Sequence, residues 1–276
     1  MLYRIDSLEC YYLFLELRMR IAAPLLWISI ASAAPLLAQE LDAEQTVLLE
    51  KTRETAMRYS SSLPDFICTQ TVSRSEDSRG NNNWRQLDRL TIRLSYSDRR
   101  EDYKLMKING KNTTLDYLSS GGALSTGEFG TRLAAVFDPR SRAQFQWKGW
   151  TAVHKHRTAR FTYQVDQQHT AFLLQYGDPA GESNQIVVPY HGEVLVDAES
   201  HMVLRLTQEA DIPRGYPITF NESWVEYDYA DVGGGSYLLP VRAYSRTKSG
   251  RYTAENNIQF REYRKFETET TITFDK

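Results

Sequence analysis

The sequence predicts a mainly β (α+β) fold: a single curved antiparallel sheet or incomplete β-barrel, covered by an N-terminal helix and a short lid helix. Three observations predict it. Apolar residues recur at every second position in several separate segments, as in Leu90, Ile92, Leu94 and Tyr96 against Thr91, Arg93 and Ser95. The intervening segments carry hairpin turn signals and are too short for crossover helices, so neighbouring strands pair antiparallel. Only two stretches show helical periodicity. At ordinary strand lengths the chain accommodates about eight to eleven strands.

The first helical stretch runs from Leu41 to Leu63, where Val47, Leu48, Ala56 and Tyr59 recur near a 3.6-residue period among charged residues, and Pro64 ends it. The second is expected at Glu128 to Phe137. There Phe129, Leu133, Val136 and Phe137 form an apolar stripe after the Gly-rich SSGGALSTG, and Asp138-Pro139 stops it. Further strands are read at Phe161, Tyr163 and Val165, at Phe172, Leu174 and Tyr176, and at Met202, Leu204 and Leu206, with Val203 and Arg205 facing the other way. The turns lie at 78–83, 109–112, 177–184, 197–200 and 232–236. Strands that are half apolar and half polar bury one face and wet the other, and the two helices are the available cover. The chain has 17 tyrosines and 5 tryptophans, more than a core requires, and aromatic rings with polar tips suit the lining of a cavity or groove.

Residues 21–37, IAAPLLWISIASAAPLL, carry no charge and follow Met19 and Arg20, the pattern of a secretory signal. Ala38 before Gln39 is the preferred cleavage point, and Met19 is the expected start, because a signal normally opens on its basic residues. A retained anchor helix is the alternative reading of the same run. The expected organisation is thus an upstream extension and signal over 1–38 and one domain over 39–276. Removing 1–38 takes away Arg4, Arg18 and Arg20 with Asp6, Glu9 and Glu16, so the net charge stays at −2. A near-neutral chain has no electrostatic footprint for nucleic acid. After removal Cys68 is the remaining cysteine, expected as a small buried hydrophobe in a strand.

The segment HGEVLVDAESHMVLRL, 191–206, resembles a hairpin of the outer-membrane lipoprotein carrier (lipoprotein localisation factor) superfamily, and YDYADVGGGSYLLPVRAYS, 227–245, resembles its next hairpin. LPDFICTQT, 63–71, and FREYRKFETETTITF, 260–274, are similar to exported acidobacterial proteins of unassigned function. The first resemblance implies an incomplete barrel wrapped around a helix, with an apolar inner surface that receives acyl chains. It carries over no individual contact residue.

Signatures of chemistry are sparse. His154 and His156 point the same way on a strand but lack further ligands nearby, and Lys148, Lys155 and Arg157 repel a cation. Glu222, Glu226 and Asp228 offer paired carboxylates of a kind common on strands. No GxSxG, HExxH or phosphate-loop pattern occurs. No residue is therefore assigned a catalytic, metal or cofactor role. The expected function is a non-catalytic periplasmic or secreted binding protein, not integral to the membrane, that takes a lipid or other hydrophobic small molecule on the concave face. The expected contacts are Leu90, Ile92, Leu94 and Tyr96 on one strand, Leu133 and Phe137 on the lid, and Phe161, Tyr163, Phe172, Leu174 and Trp224 beyond them. The alternative is a cell-envelope interaction module that binds a protein or a glycan through the sheet surface.

Overall fold

The computed structural model divides into two units, 1–37 and Ala38–Lys276. It describes residues 41–117, 119–120, 127–153, 155–177 and 183–266, all within the second. The expected signal segment lies outside the described residues, as do His154 and the tip of the 177–184 turn. No described helix is long and apolar enough to cross a membrane.

Helix α1, Ala43–Ser62, opens on a capping box: the Asp42 carboxylate accepts from the Gln45 N–H at 2.8 Å, and the Gln45 side chain accepts from the Asp42 N–H at 3.2 Å. Its buried stripe is Leu48, Leu49, Thr52, Ala56 and Tyr59. Val47, expected in that stripe, is 54% exposed, because the row through 48, 52, 56 and 59 leaves position 47 on the flank.

Eleven strands then make one open antiparallel sheet. They are β1 Phe66–Asp77, β2 Arg85–Ser97, β3 Arg100–Ile108, β4 Lys111–Asn112, β5 Gln144–Val153, β6 His156–Val165, β9 Tyr190–Asp197, β10 Val203–Ala210, β11 Ile218–Val232, β12 Gly235–Ser249 and β13 Tyr252–Lys265. The order across the sheet is β4-β3-β2-β1-β13-β12-β11-β10-β9-β6-β5. The first and last strands therefore meet inside the sheet, with Phe66 opposite Lys265 and Asp77 opposite Thr253. Both outer edges are blunted: β4 has two residues, and β5 carries a register shift between Trp147 and Gly149.

The strand between Leu173 and Gly177, β7, departs from expectation. It does not join the main sheet but pairs with β8, Ser183–Val187, as a separate ribbon. Leu174 packs there with Val188, Ala210 and Ile218 in a small cluster of its own. Alternation identifies a half-buried strand but not the sheet it joins. In β10 a register shift between Val203 and Arg205 leaves both Val203 and Leu204 buried, where strict alternation separates them.

Helix α2 spans Thr131–Phe137, shorter than expected because residues up to Gly130 form a turn. Gly130 is required here. Its φ is 119°, and a Cβ would lie 1.9 Å from Ser60 Oγ, so only glycine lets the turn approach α1. Leu133, Val136 and Phe137 are buried, and Asp138 stops the helix ahead of a single 3-10 turn, Pro139–Ser141.

Candidate functional site

Alternation gives the sheet two unlike faces. On the inner face, covered by α1 and α2, sit Leu90, Ile92, Leu94 and Tyr96 of β2, and Phe161 and Tyr163 of β6, each no more than 2% exposed. Leu133 and Phe137 of α2 join them in the same core. The structure thus brings eight of the eleven expected ligand contacts into one apolar layer. Phe172 lies at its margin, against Tyr190 with centroids 5.6 Å apart, and Leu174 belongs to the ribbon's cluster. Trp224 stands on the opposite face of the sheet, because Val225 and Tyr227 take the inward positions of β11.

The seam between the helices and the sheet around Tyr59, Leu133 and Leu238 has no room for a water molecule. Buried tyrosines of this face hold main-chain carbonyls. Tyr59 donates to Leu238 at 2.8 Å, Tyr96 to Ser60 at 2.7 Å, Tyr163 to Thr207 at 2.7 Å, Tyr190 to Ala135 at 2.9 Å and Tyr227 to Glu128 at 3.0 Å. Each hydroxyl finds in a carbonyl the partner that burial demands, while its ring supplies the apolar contact. Sequence reasoning missed these bonds because every acceptor is main chain, brought close only by the fold.

Two of those acceptors belong to α2 and the turn before it, and further bonds fix the same segment. The Glu101 carboxylate, on β3, accepts from the N–H groups of Gly127 at 3.0 Å and Phe129 at 3.2 Å, and also from the Tyr103 hydroxyl. Ser60 donates to the Phe129 carbonyl at 3.2 Å, and Arg132 donates to Ser223 Oγ at 2.7 Å while facing Glu128 at 3.7 Å. Burial raises the Glu101 carboxyl above its ordinary value; the Tyr103 hydroxyl opposes this, Glu128 adds to it, and the two N–H donors oppose it. Glu101 gave no sequence signal, since an acid within the charged run Arg99-Arg100-Glu101-Asp102 reads as a solvated face.

The outer face carries the open cavity. A cleft of about 680 Å³ crosses β5, β6, β9, β10 and β11, lined by polar residues including Gln144, Gln164, Glu193, Thr207 and Glu222, with Trp224 at one end. Trp224 lies nearly parallel to Tyr244, with centroids 5.8 Å apart at 19°, and the Arg205 guanidinium sits 4.8 Å from its ring centroid. The paired carboxylates noted in the sequence face guanidinium groups: Glu226 binds Arg205 at 3.1 Å and Arg242 at 2.8 Å, and Glu222 lies 3.6 Å from Arg246.

His156 pairs with Asp197 at 2.8 Å, and no group of three metal-ligating side chains occurs among the described residues. Cys68 is buried as expected, and burial pushes its thiol up to about 12, away from the reactive thiolate.

No family model matches the chain, and no curated protein matches it. Several solved structures are similar to it. A LolA superfamily protein from Nitrosomonas europaea is 9% identical, with 83% of this chain and 97% of that one covered at a TM-score of 0.31. A DUF1329 family protein from Desulfovibrio piger is 8% identical over 82% and 95%, at 0.34. An outer membrane lipoprotein-sorting protein domain from Vibrio parahaemolyticus, described as putative, is 10% identical over 82% and 93%, at 0.35.

Proposed function

We propose that the chain is a non-catalytic binding protein of the cell envelope, exported through its N-terminal segment, that receives a lipid or acyl chain on the inner face of the sheet when α2 lifts. One observation carries the reading: α2 is a short plug of seven residues that follows a Gly-rich stretch and seats Leu133, Val136 and Phe137 in the apolar core of the inner face.

Magnitudes indicate what ligand displaces such a plug. Four buried side chains, Phe129, Leu133, Val136 and Phe137, contribute about 6–12 kcal/mol at roughly 1.5–3 each. The polar fixings described above add about 0.5–1.5 kcal/mol apiece. An acyl chain of about a dozen methylenes, at ~0.8 kcal/mol each, supplies about 10 kcal/mol. A single chain therefore offsets the apolar part of the seat but not its polar fixings, and a ligand with two chains offsets both.

The test uses the full chain and a variant with Tyr190→Phe and Tyr227→Phe, which removes two fixings without emptying the core. Uptake of a fluorescent fatty acid should be weak in the parent and several-fold greater in the variant. Diacyl lipid should appear in a native mass spectrum of the purified protein. Folded parent and variant that both fail to take up the probe and carry no lipid would overturn the reading.

A further inference from the structure

We infer that the outer cleft is a second binding site, built for a neutral oligosaccharide. This does not depend on the lid reading, because the cleft lies on the other side of the sheet.

Size and position come first. About 680 Å³ lies within the roughly 300–1,000 Å³ of small-molecule sites. The cleft also runs across the strands rather than along them. Register places Gln144 opposite Gln164, Gln164 opposite His191, His191 opposite Glu209 and Glu209 opposite Glu222. A parallel row runs from Gln146 through Thr162 to Glu193, and from Thr207 through Trp224 to Tyr244. Neighbouring strands are about 4.8 Å apart, so each row offers a polar group at a regular step. A polymer of hydroxyl-bearing rings with a similar repeat can use such a row at several points in succession.

Charge decides the class of ligand. Most charged groups in and around the cleft have a partner: Glu193 has Arg160 at 3.0 Å, Glu222 has Arg246 at 3.6 Å, Arg205 has Glu226 at 3.1 Å, and His191 lies 2.9 Å from Asp211 and 3.9 Å from Glu209. An anionic ligand meets carboxylates, and a cationic one meets guanidinium groups already in place. What the cleft offers without electrostatic cost is hydrogen bonding. Gln144, Gln146 and Gln164 are exposed amides, each able to accept and donate to adjacent hydroxyls. At the far end the half-buried Trp224, flanked by the parallel Tyr244 ring and the Arg205 guanidinium, closes the cleft with an aromatic wall against which the C–H groups of a pyranose pack. A lipid finds too few apolar contacts here, and a nucleic acid finds no net positive charge.

The structure therefore assigns Trp224 as the aromatic end wall and Gln144 and Gln164 as hydroxyl-reading residues. Calorimetric titration of the full chain with cello-, chito-, xylo- and manno-oligosaccharides should give saturable binding to at least one. Trp224→Ala should weaken that binding at least tenfold, and Gln144→Ala with Gln164→Ala several-fold. Fatty-acid uptake should not change in either variant. The absence of binding to every neutral oligosaccharide in the set would overturn the inference. So would affinity unchanged by Trp224→Ala in a protein whose circular dichroism is that of the parent, or tighter binding of oligolysine, which would mark the cleft as a peptide site.

Discussion

The two faces of this sheet are made by the same strands and behave as different materials. In β6, Phe161, Tyr163 and Val165 are buried, while the side chains of Thr162 and Gln164 between them alternate toward an open cleft. The inner face is held by ring packing and by hydroxyls aimed at main-chain carbonyls; the outer face is held by charge pairs that water can reach. Access therefore requires displacement of a helix on one side and nothing on the other. Period-two alternation writes both faces at once, but what covers each face decides which one is open.

The largest effect that would break this contrast is a core deletion. Phe161→Ala should destabilise the domain by about 3–5 kcal/mol, whereas Trp224→Ala, which loses a ring stack and a cation–π contact, should cost about 1–2 kcal/mol. Urea denaturation of both variants measures the gap, and equal losses would mean that the outer aromatic pair is as structural as the core.

A smaller effect concerns the fixings of α2. Tyr227→Phe leaves the buried Glu128 carbonyl without that donor and should cost about 1–3 kcal/mol. Hydrogen exchange should show faster opening around 128–137 than around β2. Uniform acceleration would mean that α2 does not move as a unit.

The smallest effect is a slope. Because the folded Glu101 carboxyl is raised above its ordinary 4.5, both states are protonated well below that value and burial carries no charge penalty. As pH rises through 4.5 toward the folded value the unfolded chain ionises first, so this group's stabilisation is lost. Glu101→Gln has no such loss, and its melting temperature relative to the parent should climb between pH 4 and pH 7. Each kcal/mol corresponds to about 2–4 °C for a domain of this size. A difference that stays constant with pH would show that Glu101 does not titrate in this range.

Much of the architecture is legible in the sequence because alternation and turn chemistry are local. Asn109-Gly110 and Gly233-Gly234 mark hairpins by the backbone they require, and both occur where expected. Pairings that depend on distance are not legible. Nothing near Phe66 announces β13 as its neighbour, and nothing in Phe172 and Leu174 announces a separate ribbon. For the candidate site the difference is sharper. The apolar inward residues were readable as a set, but whether that set forms a hollow or a filled layer depends on how deeply α1 and α2 seat. The outer cleft was unreadable as a site, because Gln144, Gln164 and Glu222 are ordinary exposed strand residues until register aligns them across five strands.

The junction of β1 with β13 has a consequence for biosynthesis. β13 begins only at Tyr252, so the middle of the sheet stays unzipped until nearly the whole domain has been made. Contacts so distant in sequence slow folding, and in the interval β1 and β12 each present a bare row of amides and carbonyls to any passing strand. A polypeptide cut short ahead of Tyr252 is consequently two adhesive fragments with no keystone, and a holding chaperone has the most to protect in the moments before that last strand arrives.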